Sequence, residues 1–180
     1  MKIAVHMLVP YSPSNPNRDE LGMPKTATVG GVLRQRISSQ SLKRAWRLSE
    51  IFHDLNAETS VRTRALGEKV RDKVLASGGA EKLAETVGKK VRDQFGKADR
   101  TRPLHTSEVV IMGHEEWDAA LSLAEGCGKE GKEPSEEELK ALPQMTTSID
   151  VAMFGRMRAS APSLNVDAAV AVAHALTTNK

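Results

Sequence analysis

Eight cations crowd the first 47 residues: Lys2, Arg18, Lys25, Arg34, Arg36, Lys43, Arg44 and Arg47, against only Asp19 and Glu20. Among them stand small hydroxyl and amide donors, Asn17, Ser38, Ser39 and Gln40. The string Ser38-Ser39-Gln40-Ser41 offers N-caps for a helix running to about His53. Lys43 and Arg47 are four apart, so on that helix they share a face. Such an inventory suits phosphodiester oxygens. Lys and Arg supply charge, hydroxyl and amide groups supply hydrogen bonds, and the amides of a helix's first turn point at an anion. Contacts of this kind follow a backbone without reading bases. The same residues also describe an ordinary basic surface beside a well-capped helix, and residue types alone leave both readings open.

No catalytic constellation accompanies them, and neither a cofactor nor a metal is expected. His6, His53, His105, His114 and His174 are scattered, with no pair at the i, i+4 spacing of a zinc helix. There is no Gly-Lys-Ser/Thr phosphate loop and no Gly-x-Ser-x-Gly nucleophile turn. Glu136, Glu137 and Glu138 read as a solvated helix start whose charge suits the dipole. Cys127 is the single cysteine, which excludes an internal disulfide and a Cys-rich zinc site. Its glycine flanks place it in a turn as a passenger, and a reducing cytoplasm is the natural compartment.

The elements that must position these residues fit in 180 residues, enough for one domain or one domain with an insertion. With 39% hydrophobic and 27% charged residues the composition is that of a soluble globular protein, and 3% aromatics makes the core aliphatic. No apolar run approaches the roughly 18 residues of a membrane span, and the N-terminus lacks the apolar core of a signal peptide. Residues 62–102 hold twelve basic and six acidic side chains, whereas 103–140 hold three and ten. One surface for a polyanion and another facing away from it, or solvated helix faces, would both produce that asymmetry.

Lys2–Val9, rich in Val and Ile and stopped by Pro10, reads as a buried strand. Residues 10–36, punctuated by four prolines and Gly30-Gly31, read as a long loop. On the helix that follows, Leu42, Ala45 or Trp46, Ser49 and Phe52 share a core face. Further helices are expected at Ser60–Ser77, Ala80–Phe95, Glu115–Glu125 and 135–142, the last opened by the capping-box spacing of Ser135 and Glu138. Gly126, Gly128, Gly131 and Pro134 read as chain breakers. Thr147–Phe154 alternates like a second strand, ended by Gly155-Arg156-Met157. Asn165 then caps an apolar helix over Val166–Leu176, with His174 packed in the core. The class is α+β.

The string RISSQSLKRAWR (Arg36–Arg47), preceded by SPSNPNRDELGMPKTATVGG (Ser12–Gly31), resembles the CasC backbone subunit of the type I-E CRISPR surveillance complex, Cascade. SIDVAMFGRMRAS (Ser148–Ser160) and VDAAVAVAHALTT (Val166–Thr178) resemble that family's strand, Gly-Arg-Met turn and helix, and SVRTRAL (Ser60–Leu66) is a weaker match. The resemblance covers only the N-terminal half of the family. It implies an RRM-like (ferredoxin-like) palm, incomplete at its C-terminus, with a helical fingers insertion. Residues 1–58 would be the first part of the palm with a basic RNA-binding loop and helix, 59–144 the fingers, and 145–180 the second part of the palm leading toward the thumb.

The function implied is non-enzymatic. Copies polymerise along one CRISPR RNA and present it for pairing with a target DNA strand in antiviral defence, so that specificity lies in base pairing while protein holds the guide backbone. Implied partners are the CRISPR RNA, the target DNA strand, further copies of the chain, and the other Cascade subunits (large, small, Cas5-type and Cas6-type), with no membrane. Carried over, Arg18, Lys25, Ser38, Gln40, Lys43 and Arg47 contact guide phosphates and riboses, with Arg36, Ser39 and Arg44 nearby. Met157 matches an apolar wedge where the guide–target duplex is interrupted, or else packs in the core at the end of a strand. Arg156 neutralises a phosphate or forms a structural ion pair. Two other readings stand beside this one. Asp19 lies in a loop like that of type III backbone ribonucleases, and the chain can also be read as a fragment that only binds other backbone subunits.

Overall fold

Gly30 and Gly31 have φ of 62° and 73°, the two positive values that a two-residue type I′ hairpin requires. They join β1 (Thr26–Val29) to β2 (Val32–Ile37), with Val29 opposite Val32 and Thr26 opposite Gln35. Much of the loop expected over 10–36 is therefore a hairpin, its glycine pair serving as a turn rather than as punctuation. The computed structural model describes residues 2–54, 59–142, 148–158 and 162–179; Thr147, Ala159 and Ser160 of the motifs above lie outside them. After β2 come α1 (Ser39–Arg47), α2 (Glu50–Asp54), β3 (Val61–Thr63), α3 (Leu66–Ala76) and α4 (Glu81–Phe95). Then follow β4 (Val110–Met112), α5 (His114–Glu130), α6 (Glu136–Ala141), α7 (Ile149–Phe154) and β5 (Ala175–Leu176). The mixed α+β class is as the sequence predicts.

Two compact units divide the chain: Met1–Leu48 with Val172–Lys180, and Ser49–Ala171. In the first, β5 pairs antiparallel with β2, Arg36 opposite Leu176, giving the sheet order β1-β2-β5. Arg34 Nη1 donates to the carbonyls of Thr177, Thr178 and Asn179 at 3.0, 2.6 and 3.1 Å, tying the end of the chain to β2.

In the second unit α3, α4, α5 and α6 enclose an aliphatic core. Leu66, Val70 and Val74 of α3 meet Ala84, Val87, Val91 and Phe95 of α4, with Ala120, Ala124 and Cys127 of α5, Val110 and Met112 around them. These are i, i+3, i+4 sets, which is why helical periodicity predicts α4 almost to the residue. Cys127 is buried inside α5 rather than in a turn. Gly126 and Gly128 do not break that helix, which runs on to Gly131 at φ 67°. A Cβ on Gly128 would lie 2.7 Å from the Val74 carbonyl oxygen, so this glycine is a contact between helices.

Five elements differ from the sequence-based expectation. The helix expected over Ser60–Ser77 begins only at Leu66, because Val61–Thr63 pairs antiparallel with Val110–Met112 as β3 with β4. Residues 2–9 carry no strand among the described residues; Ile3, Val5, Met7, Leu8 and Val9 are exposed. A Val- and Ile-rich composition does not make a strand without a neighbour to pair with. The helix expected from Ser38 to about His53 is two helices, with no buried residue in α1 while Phe52 of α2 is buried. Ile149–Phe154 is α7, not a strand, its buried Asp150, Val151 and Phe154 falling on one helical face. Asp150 accepts from the Ser60 amide and hydroxyl at 2.8 and 2.6 Å, a tie across 90 residues that favours the helical turn.

Residues 166–174 form no helix among the described residues. Three of their amides are bonded elsewhere: Val166 donates to Arg156 O, and Ala169 and Val170 to the Ala152 and Met153 carbonyls at the C-terminal end of α7. Asn165 caps nothing and instead accepts from the Arg158 amide at 2.6 Å. His174 is exposed rather than packed in a core.

The loop after α4 offers a pH test. Asp99 Oδ1 accepts from the Thr101 hydroxyl and from the amides of Thr101 and Arg102, and Oδ2 from Arg64 Nη2 at 2.7 Å. The Thr101 hydroxyl first, then the two amides, hold this carboxyl at about 2, below its ordinary 3.8. The folded value is the lower one, so the stabilisation is complete above the unfolded value and is lost as pH falls through about 2. An NMR titration of Asp99 is expected to show a midpoint near 2; a midpoint near 3.8 would mean that this turn is not formed.

Candidate nucleic-acid interface

Asn17 is the hub of the first unit's basic region. Its carbonyl accepts from the Lys25 amide and its Oδ1 from the Ser38 amide, both at 2.8 Å. Lys25 O in turn accepts from the Arg36 amide at 2.8 Å, and Arg18 bridges Pro24. Four of the expected contact residues, Arg18, Lys25, Arg36 and Ser38, are thus drawn together at one loop, Ser38 through the Asn17 side chain and the others through the backbone. Asp19 closes that loop: its Oδ1 accepts from the amides of Leu21 and Met23 at 2.9 and 2.8 Å. This is a turn-forming use of an aspartate.

Ser38 caps α1 as the sequence predicts, its Oγ accepting from the Ser41 amide at 3.3 Å. The Ser39 amide, another first-turn donor, goes to His174 Nδ1 at 3.0 Å, which puts the imidazole proton on Nε2. Along the helix Ser39, Lys43 and Arg47 form one row and Gln40 and Arg44 the next, four residues apart in each case. Gln40 and Arg44 are exposed, and Ser39, Lys43 and Arg47 are half-buried. Arg44 and Arg47 occupy the last turn, where cations complement the helix dipole. Arg34 and Arg36 are two apart on β2 and therefore share a face of the strand. Arg36 Nε is buried with no hydrogen-bond partner among the described residues.

The Gly-Arg-Met turn lies in the second unit. Gly155 has φ 78°, and a Cβ there would lie 2.9 Å from Val166 O, so glycine is required twice over. Met157 is 81% exposed, which excludes core packing at the end of a strand within this chain. Arg156 is buried and paired with Glu116 at 2.6 Å, the ion-pair arrangement of the two that its sequence position leaves open.

Asn17, His174, Glu116 and Arg158 organise these regions although the sequence pattern assigns them no such part. Only Asn17 carries a local signal, as a loop amide beside Arg18. Among the described residues no group of three His, Cys, Asp or Glu is placed to hold a metal, and no helix is long and apolar enough to cross a membrane.

The chain is similar to solved chains of CRISPR RNA-guided surveillance complexes. One, titled "CRISPR RNA-guided surveillance complex", superposes with a TM-score of 0.70 at 29% identity, over 93% of this chain and 55% of that one. Another, titled "CRISPR RNA-guided surveillance complex, pre-nicking", gives 0.69 at 30% identity, over 91% and 49%. The chain therefore spans about half the length of the solved chains that it matches. No curated protein matches it. The model of the family described as CT1975-like protein matches residues 3–180, and with nearly every residue covered the chain belongs to that family.

Proposed function

We propose that this chain is a guide-holding backbone subunit of a type I-E CRISPR surveillance complex, Cascade, and that its role is binding rather than catalysis. It lies along a CRISPR RNA in several copies, in the cytoplasm, and leaves base recognition to pairing between guide and target DNA. Arg18, Lys25, Arg36, Ser38, Ser39, Gln40, Lys43, Arg44 and Arg47 hold phosphates and riboses of the guide, and Met157 fills the step where the guide–target duplex is interrupted.

The observation that carries this reading is the basic loop stapled by Asn17 to the capped start of α1. The first 47 residues carry eight cations against Asp19 and Glu20, and Asp19 accepts from its own loop amides. Sequence-independent grip on a phosphodiester backbone needs this kind of surface. The likeness to chains of guide-bearing complexes supports it.

The test is to co-express the chain with a CRISPR array and its neighbouring genes, extract the nucleic acid that co-purifies, and size both it and the particle. A discrete RNA of repeat-plus-spacer length in a large particle is expected. A small particle free of nucleic acid would overturn the guide-holding role for this chain.

A further inference from the structure

Arg156 and Arg158 stand on either side of Met157, and the chain is extended there. Arg156 exchanges both backbone hydrogen bonds with Val166 at 2.9 Å, and the Arg158 amide donates to Asn165 Oδ1. Alternate side chains of an extended segment point to opposite sides. The exposures follow: 2% for Arg156, 81% for Met157 and 5% for Arg158.

Both guanidiniums end on one carboxylate. Arg156 Nη1 donates to Glu116 Oε2 at 2.6 Å and Arg158 Nη1 to Oε1 at 3.4 Å. Glu116 is 1% exposed and its Oε2 also accepts from the Gly113 amide at 3.0 Å, which ties the carboxylate to the first turn of α5. Arg158 Nη2 reaches Gln94 O at 3.2 Å and its guanidinium lies 5.0 Å from the centre of the Phe95 ring.

Two buried cations meet at one buried carboxylate, and taking such groups out of water carries a desolvation cost. Burial draws the Arg158 pKa down, Glu116 raises it and Arg156 lowers it again. What the cluster supplies is direction: two anchors with one residue between them leave that residue a single way to point.

We propose that Glu116 is the positioning residue of the Met157 wedge: by drawing Arg156 and Arg158 inward onto one carboxylate, it holds the side chain between them outward. The inference rests on the wedge role proposed for Met157 above.

Its test uses the full chain assembled on a guide RNA, with a complementary DNA strand carrying 2-aminopurine at each position in turn. The probe brightens where a step is unstacked. Met157→Ala is expected to abolish the brightening at the interrupted step, and Glu116→Gln to lower it about threefold or more. Affinity for the single-stranded guide, read by anisotropy, is expected to stay within about twofold for Glu116→Gln. If Glu116 acts through Met157, the double variant is no dimmer than Met157→Ala alone. Arg158→Met, which keeps volume and leaves one cation on one anion, guards against a folding failure of Glu116→Gln and is expected to dim the same step.

Full brightness in both Glu116→Gln and Arg158→Met, with Met157→Ala dark, would overturn the inference and leave the wedge standing. Equal loss of guide affinity and brightness in Glu116→Gln would also overturn it, since that is the mark of a merely structural role. A wild-type chain that unstacks no step, or a Met157→Ala chain as bright as wild type, would remove the wedge reading and the inference with it.

Discussion

Replacing Lys43 and Arg47 together by alanine is expected to weaken guide-RNA binding about tenfold at moderate salt, whatever the RNA sequence. The two side chains lie four apart on α1, one turn from each other and downstream of the Ser38 cap that fixes where the helix begins. Phosphate contacts act through release of counterions. Removing one from a single strand flattens the plot of log affinity against log salt by about 0.7, so the pair should remove about 1.4 from the slope. The difference between variant and wild type should therefore shrink as salt rises. A matched control is Lys82→Ala with Lys89→Ala on α4, which removes the same charge from the other unit. The control separates the effect of a phosphate contact from that of net charge. An unchanged slope for the α1 variant would remove both residues from the interface.

That prediction uses a part of the site which is legible in the sequence, and the reason is locality. The cap at Ser38, the i, i+4 pair of Lys43 and Arg47, the limits of α4 and the capping box of Ser135 and Glu138 all depend on residues within one or two turns. Where a partner far along the chain decides the conformation, local pattern misleads. Residues 2–9 have a strand's composition and no paired neighbour among the described residues. Ile149–Phe154 fits either period, and the Ser60–Asp150 bonds favour the helix. Residues 166–174 are apolar enough for a helix, but Arg156, Ala152 and Met153 take three of their amides.

The Met157 turn shows the same limit within the site. Glycine, arginine and methionine in a row mark a place where the chain changes direction, and the exposure of Met157 follows the alternation of an extended segment. Nothing in the sequence ties Arg156 to Glu116 forty residues earlier. A buried ion pair is chosen by the packing of α5 against that segment, and packing is what a one-dimensional pattern lacks. Glycines mislead for a related reason. Gly30 and Gly31 answer to backbone conformation, whereas Gly67, Gly88 and Gly128 answer to the space left by another helix, and the letter is the same in both cases.

That distinction yields a prediction in which two effects of opposite sign compete. Gly88 lies inside α4, where alanine in place of glycine normally stabilises a helix by about 1 kcal/mol. Here a Cβ would sit 2.6 Å from the Gly67 carbonyl oxygen of α3 and 3.2 Å from a Leu104 methyl. The leucine can rotate away. The oxygen cannot, because it is backbone in the first turn of α3, so α3 and α4 must separate and loosen Val70 and Val74 against Val87 and Val91. Overpacking of this kind costs about 1–3 kcal/mol, and the loosened valines add to that. Gly88→Ala is therefore expected to destabilise the second unit by about 2 kcal/mol net, lowering its Tm by roughly 4–8 °C. Gly126→Ala supplies the contrast: it too lies within a helix, and a Cβ there meets nothing within 4 Å. Its Tm should rise, by an amount set by helix propensity alone, about 1 kcal/mol at most. Opposite signs from the same chemical change would locate the close approach of α3 and α4 at Gly67 and Gly88. A Gly88→Ala chain as stable as Gly126→Ala would place those two helices farther apart than 2.6 Å between Cβ and oxygen allows.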